Sequence, residues 1–289
     1  MRIAVLITGQ ARYLQQTGFW NREKVFPKTF GNMTVDYYVY LWDDGSDNLA
    51  DRIVKAYDPV KFEIGNYNEV FHNHRHQIKQ ANTDATDWDL TTTNTQHLMC
   101  YRGDNYEKYA YNFPGMYLAS ARGARMAGPL SDYDIVIKTR SDNIFNNMHE
   151  RQWIQLFSNM YKNPVFSDNI FTPWMRVKNG LPFFGDFCFI GKPHLMHNFL
   201  KNMDNELIQL ATVDKHLLSD FLVNPDIPFE HWLWSRCGVY SKTDWLSISV
   251  VWPTPFGCTL LRQDIELYDK DYAHIEKLFQ EEQHRRQHQ

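Results

Sequence analysis

The chain has 289 residues, 43% of them hydrophobic and 22% charged, with a formal net charge of −4. That is an ordinary globular balance, long enough for one large domain or two small ones. The negative charge gives no global drive toward nucleic acid, though it leaves room for a local basic groove, and no apolar run approaches the length of a membrane span.

The first residues, Met1 to Gly9, are too short and end too abruptly for a signal peptide, and read instead as a first strand, Ile3 to Ile7, followed by Thr8-Gly9-Gln10. Residues Arg12 to Val25 suit a helix. Val35 to Leu41 is a second strand ending at Trp42-Asp43-Asp44-Gly45. Leu49 to Tyr57 is a short helix and Lys61 to Ile64 a third strand. This β-α-β-α-β start favours a parallel sheet with right-handed crossovers. Residues 66 to 105 are polar and irregular, which reads as a long loop or lid. They include His72, His74 and His76, whose alternation would put them on one face of a strand, but no carboxylate or Cys completes a metal site and a solvated loop is the plainer reading.

Pro114 is expected to open a helix that runs to Ala127 and stops at Gly128-Pro129. Next comes the most informative stretch, Asp132 to Phe145. An apolar β-branched run, Ile135 to Ile137, ends in Lys138, Arg140 and Asp142. A strand covered on both faces reads this way. Ligands of open α/β sheets sit at the carboxyl ends of strands. Asp142 is therefore placed for a divalent metal, and Lys138 or Arg140 for phosphate.

Further on, Trp153 to Met160 reads as a helix and Ile170 to Val177 as a strand. Phe183 to Gly191 reads as an aromatic strand interrupted at Gly185-Asp186. Helices are expected over Pro193 to Leu210, Asp214 to Val223 and from Pro228, then a late strand from Ile248 to Trp252 and a polar tail from Tyr272. The aromatic share of 15% suits a thick core and also a site that stacks on rings. The four cysteines, Cys100, Cys188, Cys237 and Cys258, lack zinc or redox spacing and read as reduced core residues of a cytosolic protein. No nucleophile elbow and no Walker loop occurs.

Five segments in this order resemble one group of enzymes. They are the opening strand with Thr8-Gly9-Gln10-Ala11-Arg12, the second strand ending at Trp42-Asp43, Tyr133 to Asp142, Phe184 to Gly191, and Pro228-Phe229-Glu230. The chain is similar over roughly residues 1 to 240 to the WavE-like glycosyltransferases of lipopolysaccharide and capsule clusters and of phages. The resemblance implies a GT-A-like, Rossmann-type α/β fold: a mostly parallel sheet flanked by helices. It also implies a single domain over 1–289. Residues 1–145 would be the nucleotide-sugar-binding half, 146–270 the acceptor half and 271–289 a polar C-terminal helix or tail.

The implied activity moves a sugar from a nucleoside-diphosphate sugar to an acceptor hydroxyl. Thr8, Gly9, Arg12, Trp42, Asp43, Lys138 and Arg140 would bind the donor. Asp142 would hold Mg²⁺ or Mn²⁺ where GT-A enzymes carry Asp-x-Asp, with Arg140 in place of the first carboxylate. Asp186 or Glu230 would act as general base. The acceptor would be a glycan or a hydroxymethylated pyrimidine in duplex DNA, and the location the cytoplasm, that of the host if the protein comes from a phage. A non-catalytic sugar- or nucleotide-binding module on the same fold is the alternative, motivated by Arg140. Each site also has a plainer reading: an ordinary β-α turn at Gly9 and Arg12, an Asx turn at Asp43, a strand-end cap at Asp142, a bulge at Asp186.

Overall fold

The computed structural model describes residues 1–67, 69, 106–145, 150–162, 169–172, 175–178, 181–184, 188–206 and 258–260. The strands are β1 (Arg2–Gln10), β2 (Thr29–Phe30), β3 (Met33–Trp42), β4 (Lys61–Gly65), β5 (Ile135–Arg140), β6 (Asn143–Phe145), β7 (Met175–Lys178), β8 (Leu181–Phe184), β9 (Cys188–Gly191) and β10 (Cys258–Leu260). The helices are α1 (Leu14–Trp20), which continues as a π-helical turn over Asn21–Val25, α2 (Leu49–Tyr57), α3 (Tyr106–Ala127), α4 (Glu150–Lys162) and α5 (Pro193–Lys201).

A six-stranded sheet organises the molecule, in the order β2-β3-β1-β5-β9 with β4 also on β3. Strands β4, β3, β1 and β5 are parallel, and β9 joins β5 antiparallel. The protein is thus α/β, with a mostly parallel sheet. From β1 the chain winds outward through β3 to β4, then returns to add β5 on the other side of β1. The direction of winding reverses between β1 and β5, which makes this the topological switch point of the sheet.

Both faces are covered, which explains why β1 and β5 read as near-continuous apolar runs. One face packs Ile3, Val5, Ile7, Val39, Leu41 and Ile137 against Leu14, Ile53, Phe145 and Phe157. The other carries Leu6, Thr8, Tyr40, Val136 and Lys138. Helix α3 lies close on it: a Cβ built on Gly123 would come within 2.8 Å of Thr8 Cγ2 and 3.2 Å of Tyr40 Cβ.

Several expected boundaries differ. Helix α3 starts at Tyr106, so Pro114 lies inside it and not at its first turn. A proline there forfeits one helical hydrogen bond, and the packing of α3 on β1, β3 and α5 outweighs that local loss. The strand expected over Ile170 to Val177 resolves into an isolated bridge from Phe171 to Ile190 and the separate strand β7. The aromatic strand expected over Phe183 to Gly191 is two strands in different sheets. β8 pairs with β7, while β9 joins the main sheet, so the break at Gly185-Asp186 separates two partners. The helix expected over Pro193 to Leu210 breaks at Asn202, where α5 ends, and helical backbone resumes over 203–206, beyond which the residues are not described. The segments expected over 214 to 252, the tail and the loop from 70 to 105 lie outside the described residues.

Candidate functional site

The parallel strands end together in Gly65, Trp42, Gln10 and Arg140. At the switch point, Thr8 pairs with Arg140, and the Ser141 hydroxyl donates to the Gln10 carbonyl, tying the two strand ends together. From the last residues of β1 onward the chain turns sharply. Gly9 has a φ of 121°, the Arg12 amide donates to the Gln10 carbonyl at 2.8 Å, and Tyr13 takes a φ of 51° before α1 begins. Left-handed backbone at a bulky residue is uncommon, and here it aims the chain into α1.

Three of the candidate residues meet at this point. Arg140 grips Asp142 with two prongs: Nε donates to Oδ1 at 2.8 Å and Nη2 to Oδ2 at 2.7 Å. The Asp142 side chain is only 4% exposed and that of Arg140 19%. Nη1 of Arg140 lies 3.1 Å from the Met116 sulfur on α3. Arg12 completes the group. Burial lowers its proton affinity, the charge of Asp142 raises it and the charge of Arg140 lowers it again. Its buried Nε has no hydrogen-bond partner among the described residues. Among the described residues, two guanidinium groups stand beside one carboxylate at the switch point, a balance suited to an anion.

The loop that carries Asp142 is held from α1 and the π-helical turn. The Thr17 hydroxyl donates to the Ser141 carbonyl. Asn21, fully buried, donates from Nδ2 to the Asn143 carbonyl at 2.8 Å and accepts from the Phe145 amide at 3.2 Å. The Trp20 indole donates to the Phe145 carbonyl at 2.9 Å. Asn143 in turn donates to Thr139 Oγ1 at 2.8 Å. π-Helical insertions recur at functional sites, and this one turns Asn21 toward the loop. None of Thr17, Trp20, Asn21 or Asn143 was expected at the site. The available signal was two polar residues, Thr17 and Asn21, four apart and in line with the apolar Leu14 on one face of a short helix.

The remaining described candidates make contacts of their own. Thr8 is buried and shares a hydrogen bond of 3.2 Å with Ser120 of α3. Lys138 is buried in the sheet with Nζ 5.7 Å from the Phe189 ring centre, on the interior side of Arg140. Trp42 donates from its indole to the Gly115 carbonyl at 2.7 Å and stacks edge-on with Tyr67. Asp43 accepts from the Gly45 amide at 2.9 Å, an Asx turn. Asp186, Glu230 and the His72, His74, His76 cluster lie outside the described residues.

A divalent metal does not fit Asp142 as it stands. Both of its oxygens are engaged by Arg140, and a hard cation that keeps several waters needs an open face that a side chain 4% exposed lacks. Among the described residues no group of three or more His, Cys, Asp or Glu side chains is arranged to hold a metal ion. No helix among them is long and apolar enough to cross a membrane.

No family model and no curated protein matches the chain. Among solved structures, the crystal structure of mouse xyloside xylosyltransferase 1 in its apo form aligns over 80% of this chain and 79% of that one, with a TM-score of 0.38 and 8% sequence identity. That likeness is too distant to assign a fold family or an activity.

Proposed function

We propose that the protein is a glycosyltransferase of GT-A type that moves a sugar from a nucleoside-diphosphate sugar to an acceptor hydroxyl. The observation that carries this reading is the pair Arg12 and Arg140 at the switch point between β1 and β5. Open α/β sheets bind nucleotides at such a point, and guanidinium groups match phosphate oxygens. The resemblance of the five sequence segments to WavE-like enzymes supports the same reading.

In this reading the donor diphosphate lies across the carboxyl ends of β1 and β5. Arg12 and Arg140 offset the negative charge that builds on the leaving diphosphate, which lowers the barrier only as far as it favours the transition state over the bound donor. Asp142 fixes the Arg140 fork. Asp186 or Glu230 takes the proton of the acceptor hydroxyl if the reaction inverts. The acceptor is a glycan or a hydroxymethylated pyrimidine in duplex DNA. A net charge of −4 favours the glycan.

The test is incubation of the full chain with a panel of nucleotide sugars, with release of nucleoside diphosphate as the readout. Release from one donor, accelerated by a glycan acceptor, is expected. Nucleotide binding with no turnover of any donor would leave a binding module, and neither binding nor turnover would remove the reading. A salt-sensitive mobility shift of duplex DNA would move the acceptor to DNA.

A further inference from the structure

We propose that Arg140, fixed by Asp142, is the resident cation of this site, so that a nucleoside diphosphate binds between Arg12 and Arg140 without a divalent metal. This rests on the nucleotide-sugar reading and specifies how the diphosphate is neutralised.

The argument starts from the carboxylate. A metal-binding Asp offers its oxygens to the ion and to that ion's waters. Here both oxygens of Asp142 accept from one guanidinium, at 2.8 Å and 2.7 Å, in the fork geometry that makes such pairs strong. A divalent ion on either oxygen would sit in contact range of that guanidinium, with a second cation, Arg12, close enough for its proton affinity to respond to both partners. Three cations would then crowd one buried carboxylate. Replacing Arg140 by the ion would break a largely buried ion pair, which is costly.

The same geometry explains what the carboxylate does. A free Arg side chain loses rotamer entropy when it is fixed. Asp142 fixes it before any ligand arrives, and Thr17, Trp20 and Asn21 hold the backbone on either side of Asp142 through the carbonyls of Ser141, Phe145 and Asn143. Arg12 supplies a donor without a partner among the described residues, its buried Nε. The site is therefore preorganised for an anion and already holds the positive charge that a metal would bring.

The experiment is calorimetric titration of the full chain with UDP, GDP, ADP, CDP and dTDP, each in EDTA and again in Mn²⁺. At least one is expected to bind in EDTA, with an affinity that Mn²⁺ changes by less than about threefold, under 0.7 kcal/mol. Arg12→Ala should weaken that binding by about tenfold or more, again without dependence on Mn²⁺. Arg140→Ala, if circular dichroism shows the native fold, should weaken it similarly. By releasing both Asp142 oxygens, it should also create a Mn²⁺ site, seen by electron paramagnetic resonance, that the parent protein lacks. If Arg140→Ala does not fold, the EDTA comparison and Arg12→Ala still decide. Binding that requires Mn²⁺ would overturn this inference while leaving the nucleotide reading in place. No binding of any nucleoside diphosphate under either condition would overturn both.

Discussion

Asn21 donates from its side chain to the main-chain carbonyl of Asn143 at 2.8 Å, across 122 positions of sequence. With its acceptance from the Phe145 amide, it closes the gap between β5 and β6 in which Asp142 sits. Replacing Asn21 by Leu keeps the bulk and removes both bonds, so that a buried carbonyl and a buried amide each lose this partner. Such losses cost about 1–3 kcal/mol each. Asn21→Leu should therefore lower the urea midpoint clearly and weaken nucleoside diphosphate binding, because the loop that fixes Arg140 loosens. Unchanged stability would mean that Asn21 is not what holds the loop.

Gly9 tests the turn itself. Its φ of 121° is a conformation that side chains rarely adopt, and a Cβ added there would meet no atom within 4 Å. Gly9→Ala thus isolates backbone strain from crowding. The expected loss is about 1–3 kcal/mol, measured as a lower melting temperature, with the binding site displaced along with Arg12. A melting temperature equal to that of the parent would show that the turn accepts a side chain at no cost.

The sheet was readable in the sequence because its strands are buried on both faces. Ile3 to Ile7 and Ile135 to Ile137 have no polar residue to confuse the period, and α2 matches its expected bounds because its ends carry clear turn residues. Arg12, Arg140 and Asp142 were readable as candidates because charge at the end of such a run has no packing role. The pairing of Arg140 with Asp142 was not. Positions two apart are normally on one face of a strand, but their side chains meet here because the strand ends at Arg140 and the backbone turns through Ser141. Thr8, Trp42 and Asp43 also lie near strand ends, and each makes a local hydrogen bond, with Ser120, Gly115 and Gly45 respectively. Strand position alone does not tell a ligand contact from a local hydrogen bond.

His197 gives the protein a pH dependence with a defined sign. It lies on α5 beside Leu130, Val136 and Leu200, in a small cavity lined mainly by apolar side chains. Burial lowers its pKa below the usual 6.5, the charge of Lys201 lowers it further, and hydrogen bonds with the main chain at Gly128 and Ala124 raise it. A His with a lowered folded pKa binds protons more readily when unfolded, so stability falls as pH drops below 6.5 and levels off below the folded value. His197→Gln should flatten that part of the stability–pH curve, measured by urea denaturation between pH 5 and pH 8, the range in which His titrates. Parallel curves for the two proteins would assign the acid sensitivity to other groups.

Tyr133 provides the control at the opposite edge of the sheet. Its hydroxyl donates to Asp36 Oδ2 at 2.9 Å and lies 3.0 Å from the Tyr38 hydroxyl, while Arg2 sits 4.6 Å over its ring. Burial, then the bonds to Tyr38 and Asp36, push the phenol pKa up, so it remains a donor throughout the physiological range. Tyr133→Phe keeps the ring and its packing but leaves the Tyr38 hydroxyl without this partner. The exposed Arg2–Asp36 pair, at 3.4 Å, offsets little of that. The cost should be about 1–2 kcal/mol. Because β1, β3 and β5 run their full length between this network and Arg140, nucleoside diphosphate affinity should stay within about twofold, under half a kcal/mol. A variant that loses stability but keeps its affinity separates the amino edge, which holds the sheet together, from the carboxyl edge, which binds. A parallel loss of affinity would mean that the two edges are coupled through the strands and that binding is not confined to the switch point.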